Sequence, residues 1–180
     1  MRNTFDRFNG RHQDYQAARP SYAQEFLDWL GELYAPPERY TAADIGSGTG
    51  KLSAQLLAAG FRVCGVEPNP DMRGAAEALL GGDPRFSSSN GTDHDTGLPD
   101  RSVDMVAAAQ AFHWFDGPAF ARECRRILRP GGRAVLVWNV RGSAPMNQAL
   151  AQVFREHCPS FHGFTGGMGE DDPRIRDFFG

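Results

Sequence analysis

Residues 43–53 read ADIGSGTGKLS. Three alternating glycines, Gly46, Gly48 and Gly50, are preceded by Asp44 and followed by Lys51. What flanks them decides the fold. Upstream, Tyr40 to Ile45 is a short, mostly apolar run that predicts a strand ending at the glycines. Downstream, Leu52, Leu56 and Ala59 recur at helical spacing between Thr49 and Ala59, and Gly60 stops the run. Strand, glycine turn and helix, in that order, open a βαβ unit.

The same alternation continues outward. Phe61 to Val66 predicts a strand, Asn69-Pro70 a helix start, and Asp71 to Leu80 the helix. Arg85 to Ser89 and Val103 to Ala109 follow as strands, the second apolar enough to be buried on both faces. Phe120, Cys124, Ile127 and Leu128 form a helix stripe ended by Pro130-Gly131-Gly132; Ala134 to Val140 is a strand and Met146 to His157 a helix. Before the glycine turn, Ser21 and Gln24 have capping-box spacing, and Tyr22, Phe26, Trp29, Leu30 and Leu33 extend a helix to Pro36-Pro37. Residues 1–20, and the chain from Pro159 onward, read as irregular. Strands alternating with helices predict a parallel α/β sheet with right-handed crossovers.

Composition narrows the class. A chain of 180 residues with 41% apolar content is long enough for one domain with a core. No apolar run reaches the roughly 18 residues that would span a bilayer. The first residues, MRNTFDRFNGRHQDY, lack a signal core, so the expectation is a cytoplasmic protein with no membrane partner. A net charge of −3 argues against a nucleic-acid partner; Arg125, Arg126 and Arg129 read as a solvated helix end. Cys64, Cys124 and Cys158 are widely spaced and form no CxxC, which predicts reduced thiols. His157 and His162 flank Cys158, but a closed zinc site needs four ligands, and no metal is expected.

Ligands of open parallel sheets sit beyond the C-terminal strand ends, which is where the glycine turn lies. A Walker A loop fails twice, because Ile45 replaces its first glycine and Leu52 its Ser/Thr. A GxGxxG dinucleotide turn fails at Lys51. Asp44 would repel a pyrophosphate, whereas it suits a ligand carrying an ammonium and a sulfonium. Glu67, 21 residues after Gly46, stands where an acid accepts the hydroxyls of an adenosine ribose.

Four stretches, YQAARPSY, DIGSGTG, GVEPNPDM and LPDRSVDMVAAAQAFHWFD, with LRPGGRAVLVWN as a fifth, carry a resemblance. The chain resembles class I methyltransferases dependent on S-adenosylmethionine (SAM), in the branch of methyltransferase type 11 domains and trans-aconitate methyltransferase relatives. The resemblance implies a Rossmann-like three-layer sandwich with a mostly parallel sheet, about five strands being present of the usual seven. It implies an N-terminal cofactor-covering segment at 1–20, a SAM-binding domain at 21–158 and an irregular tail at 159–180. It places Asp44, Gly46, Ser47 and Gly48 at the methionine moiety, Glu67 at the ribose, and Pro68 and Met72 against ribose and adenine. Thr92 and Asp93 fall at the adenine edge, although relatives often have Ala-Glu where this chain has Asp93-His94. Gln110 and Ala111 lie beside the methyl group, and Arg19, with Tyr15 nearby, at the methionine carboxylate.

The implied activity is in-line methyl transfer to a small organic acceptor, with S-adenosylhomocysteine as product. His113, after the fourth strand, is the candidate acid–base group; its alternative role is to hold the loop beside Phe112 and Trp114. The alternative functions are a SAM-binding module without independent catalysis and an NAD(P)-dependent oxidoreductase. The two strands not found after Val140 lead to the expectation of a chain truncated relative to that family. They would leave the fifth strand at an edge for a second subunit of a homodimer, the final segment or a cleaved remainder to cover.

Overall fold

The computed structural model describes residues 21–139, 145–158 and 172–180. The strand before the glycines is β1 (Thr41–Ile45). It pairs in parallel with β2 (Arg62–Val66) on one side and β4 (Val103–Ala109) on the other. Outside these lie β3 (Phe86–Ser89) and β5 (Leu128–Val137), giving one parallel sheet in the order β3-β2-β1-β4-β5. The order reverses at β1, so the crevice beyond β1 and β4 is the topological switch point where such sheets take ligands. The α/β fold and the five-stranded parallel sheet are those the sequence predicts.

Alternation along the strands buries both faces. Ala43, Ile45, Val66, Val106 and Ala108 pack against α4 (Gly117–Ile127) through Phe120, Cys124 and Ile127. Ala42, Val63, Met105 and Ala107 pack on the opposite side with α1 (Gln24–Leu33) and α2 (Lys51–Ala58), through Leu30, Leu52, Leu56 and Leu57. Leu80, at the end of α3 (Pro70–Leu80), joins that second cluster. Burial pushes the Cys124 thiol up to about 12, so it packs as an inert apolar group. Among the described residues no helix is long and apolar enough to cross a membrane.

Three elements depart from the sequence reading. Helix α1 starts at Gln24, and its N-cap, Ala23, makes no side-chain capping bond, so Ser21 and Gln24 form no capping box. Instead Gln55 brackets the backbone of Tyr22, accepting from its N–H at 3.0 Å and donating to its carbonyl at 3.1 Å. The Pro130-Gly131-Gly132 stretch is not a break after a helix but lies inside β5, which leaves α4 with no intervening loop. Leu128 pairs with Val103 and Arg133 with Met105, so the intervening residues bulge out of the ladder. Finally, Pro173–Phe179, in the stretch expected to be irregular, is a helix, α6, capped by the Asp172 side chain. It packs on α4 instead of pairing with β5, and no described strand lies beyond β5. Helix α5 (Pro145–His157) agrees with expectation to within a residue.

Candidate functional site

The turn after β1 is built from its glycines. Gly46 has φ 70°, and a Cβ there would lie 2.8 Å from Ala111 Cβ and 3.3 Å from the Phe115 ring. Only glycine satisfies both the angle and the approach. Gly50, at φ 80°, sits against Leu80 and Ala76 of α3. Gly48, at φ 57°, is different: a Cβ would meet nothing within 4 Å, because that side of the turn faces open space.

The turn leans on the end of β2. Gly46 and Ser47 donate their N–H groups to the Val66 carbonyl at 2.9 and 3.1 Å. The next residue, Glu67, is 8% exposed, and its two carboxylate oxygens are held apart by backbone donors. Gly48 N–H donates to Oε2 and Asn69 N–H to Oε1, both at 2.9 Å. Asn69 in turn caps α3, its side chain accepting from Asp71 N–H and Met72 N–H. Burial raises the Glu67 carboxyl above its ordinary value, opposed by the Asn69 and Gly48 N–H groups and the Arg73 charge. Each carboxylate oxygen keeps a lone pair beyond the backbone bond it already accepts.

A cavity of about 290 Å³ opens beside this carboxylate. It brings together nine of the sequence-expected residues: Gly46, Gly48, Glu67, Pro68, Met72, Thr92, Asp93, Gln110 and Ala111. A second, smaller cavity of about 30 Å³ shares Gly46 and Gly48 and is walled by Asp44, Ser47 and Lys51. Asp44 thus faces the α2 side of the turn and is not a wall of the larger cavity. Its carboxylate is 1% exposed and accepts from Ser53 Oγ at 2.7 Å. Burial pushes its pKa up to about 6, with the Ser53 bonds opposing and the Glu67 charge adding to the rise. Tyr15 and Arg19 lie outside the described residues. His113 lines neither cavity; its ring stands beside Trp114, centroids 4.8 Å apart.

The larger cavity has further walls. Asn69, His94, Trp114, Phe115 and Asp116 also line the larger cavity. Asp93 clasps two of its walls, accepting Asp116 N–H at 3.0 Å on one oxygen and meeting His94 Nδ1 at 3.0 Å with the other. Behind this loop the Glu123 carboxylate takes Thr96 N–H, Thr96 Oγ1 and the Arg126 guanidinium. Burial works to raise Glu123, but Arg126 and Thr96 outweigh it and hold its pKa at about 2. Gln110, at the C-terminal end of β4, has φ 55° and donates from Nε2 to the Asn139 carbonyl at 3.2 Å. That left-handed backbone was the one feature here with no signal in the residue type. Among the described residues no cluster of His, Cys, Asp or Glu could hold a metal ion.

The methyltransferase domain family matches residues 43–136, from the end of β1 into β5. The chain belongs to this methyltransferase domain family. An uncharacterised methyltransferase of Mycobacterium bovis is 42% identical over 71% of this chain and 49% of its own length. One from Schizosaccharomyces pombe is 31% identical over 81% of this chain and 57% of its own. A candidate type II methyltransferase of known structure from Anaeromyxobacter dehalogenans is 37% identical, with a TM-score of 0.61 over 81% of this chain and 57% of that one. The chain therefore spans about half the length of the curated relatives it matches. As a methyltransferase domain it has the Rossmann-like fold of the class I enzymes, with its glycine turn and both cavities inside or beside the matched residues.

Proposed function

We propose that this methyltransferase domain binds SAM across the two joined cavities and supports transfer of its methyl group to a small organic acceptor. The observation that carries this is Glu67. Its carboxylate is anchored by the glycine turn on one side and the start of α3 on the other, and is presented at the cavity wall with acceptor capacity to spare. A vicinal pair of ribose hydroxyls is the complement of such a carboxylate.

The residues present fit the cofactor. Gly48 leaves room where a ligand must approach the backbone. Asp44 offers a buried acid at the small cavity, where a cationic amino-acid moiety gains most from it. On this reading Asp44, Gly46, Ser47 and Gly48 hold the methionine end, Glu67 the ribose, and Pro68, Met72, Thr92 and Asp93 the adenosine. Gln110 and Ala111 border the methyl group, and Tyr15 and Arg19 close the site from the N-terminal segment at 1–20. Bound SAM would supply the electrophilic methyl; the chain supplies alignment and exclusion of water. Asp44, Gly46 and Glu67 orient, and Phe115 and Ala111 hold the turn in place.

A second reading is a SAM-binding module with no independent catalysis, which the methyl-transfer assay below separates from the first. A homodimer formed over the edge of β5 would complete the sheet on either reading, and sedimentation of the 180-residue chain as a monomer rejects it. Calorimetric titration with SAM, S-adenosylhomocysteine and NADH tests the binding claim. Heat with both adenosyl ligands and none with NADH supports it, and the reverse rejects it. Transfer of a labelled methyl to a panel of acids, phenols and amines then separates catalysis from binding alone.

A further inference from the structure

An aromatic cluster that no reaction role accounts for packs in the core with Ala43 and Ile45 of β1. Phe178 of α6 is 7% exposed. It stacks on Phe120 of α4, centroids 5.2 Å apart and 16° between planes, and meets Phe112 edge-on, also at 5.2 Å. Phe112 opens the short 3₁₀ turn Phe112–Trp114, and its ring touches Phe115 at 6.3 Å in a T-shaped contact. Phe115 also packs on Phe120 at 4.9 Å and reaches the space above Gly46. Trp114 and Phe115 are cavity walls.

We propose that Phe178 is a positioning residue for the ligand cavity, acting through Phe112 to press Phe115 against the Gly46 turn. From below, the 112–115 segment rests on rings, since Phe112 also meets Phe120 at 6.1 Å and Trp138 at 6.3 Å. Within the turn, Trp114 N–H donates to the Ala111 carbonyl at 2.9 Å and Phe115 N–H to the Phe112 carbonyl at 3.0 Å. These set the shape of the turn but not its distance from β1. Ring packing sets that distance, and close-packed aromatic clusters do not relax fully when one member is removed. The Gly46 turn tolerates no slack in the other direction either, because the 2.8 Å approach to Ala111 leaves no room for a methyl. The wall is thus clamped between a ring below and a glycine above.

The inference rests on the proposed SAM site for its affinity readout but not for its structural one. The test compares wild type, Phe178→Ala, Phe178→Leu and Asp177→Ala in the full 180-residue chain; Asp177 is exposed on the same helix and serves as the control. Hydrogen exchange of the 111–116 amides, without ligand, should quicken in Phe178→Ala while β1 and β4 keep their protection. S-adenosylhomocysteine affinity should fall about 10- to 100-fold, the scale on which a displaced positioning group is felt. Phe178→Leu should restore most of both, and Asp177→Ala should change neither. Unchanged exchange at 111–116, or a uniform loss of protection through β1 and β4, overturns the positioning role whatever the ligand does. Faster exchange at 111–116 in a protein that binds no adenosyl ligand even as wild type supports the relay and overturns the SAM assignment instead.

Discussion

Two buried acids flank the same glycine turn, and they are built for different work. Glu67 receives two backbone N–H groups, one on each oxygen, from elements on either side of it. Asp44 receives the Ser53 hydroxyl and faces the tighter cavity. Glu67 is therefore a fixed acceptor whose geometry is complete before any ligand arrives. Asp44, with a pKa pushed up to about 6, is a charge held close to its protonation point. A preformed acceptor gives specificity; an acid that ionises fully only beside a cation couples binding to pH.

The largest effect expected from breaking this comparison is at Glu67. Glu67→Ala removes the proposed ribose acceptor and the partner of Gly48 N–H together, and should weaken SAM by about 100-fold or more in calorimetry. Next comes the turn that joins the two acids. Gly46→Ala combines a φ of 70° with the 2.8 Å contact to Ala111 and should cost about 3 kcal/mol in chemical denaturation. A loss near 1 kcal/mol would mean the 112–115 wall yields readily.

Asp44→Asn should be milder, about tenfold in SAM affinity at pH 7, as befits one attenuated charge interaction. Its more telling result is the pH profile. In wild type, SAM affinity should fall as the pH drops below about 6, with a proton released on binding near that pH; in Asp44→Asn both effects should vanish. Stability moves in the opposite sense. The raised pKa means folding favours protonated Asp44, so its contribution is complete below the unfolded value of about 3.9 and is lost as pH rises through about 6. The wild type should lose on the order of 3 kcal/mol across that window relative to Asp44→Asn. The smallest effect is at Gly48, where Ala meets open space and suffers only the left-handed angle, about 1 kcal/mol. A ligand defect in Gly48→Ala larger than its stability defect would locate the cofactor against that face.

Much of this was readable beforehand, and the reasons are local. Val103 to Ala109 is apolar apart from Asp104 because both faces are covered, and Asn69-Pro70 caps and starts α3 as its chemistry dictates. Glu67 and the glycines were legible because spacing along a βαβ unit translates directly into proximity at the strand ends. The failures share a cause, namely dependence on partners distant in sequence. Pro130-Gly131-Gly132 looks like a terminator, but a bulge opposite Val103 and Met105 absorbs it within a strand. His113 stands where its place after the fourth strand predicts, but that place does not say which way a side chain in a tight 3₁₀ turn will face. Helix α6 did carry a signal: Asp172-Pro173 is a cap and first-turn pair, and Ile175, Phe178 and Phe179 have helical spacing.

The direct passage from α4 to β5 has a practical side. Ile127 ends the helix and Leu128 begins the strand, each already paired or packed, so nothing between them can be paid out to accommodate added residues. A tag, a reporter or a new chain terminus grafted at that junction would have to unwind one element or unzip the other. Gly81 and Gly82, exposed beyond α3, impose no such demand and are the natural place to splice foreign sequence into this domain.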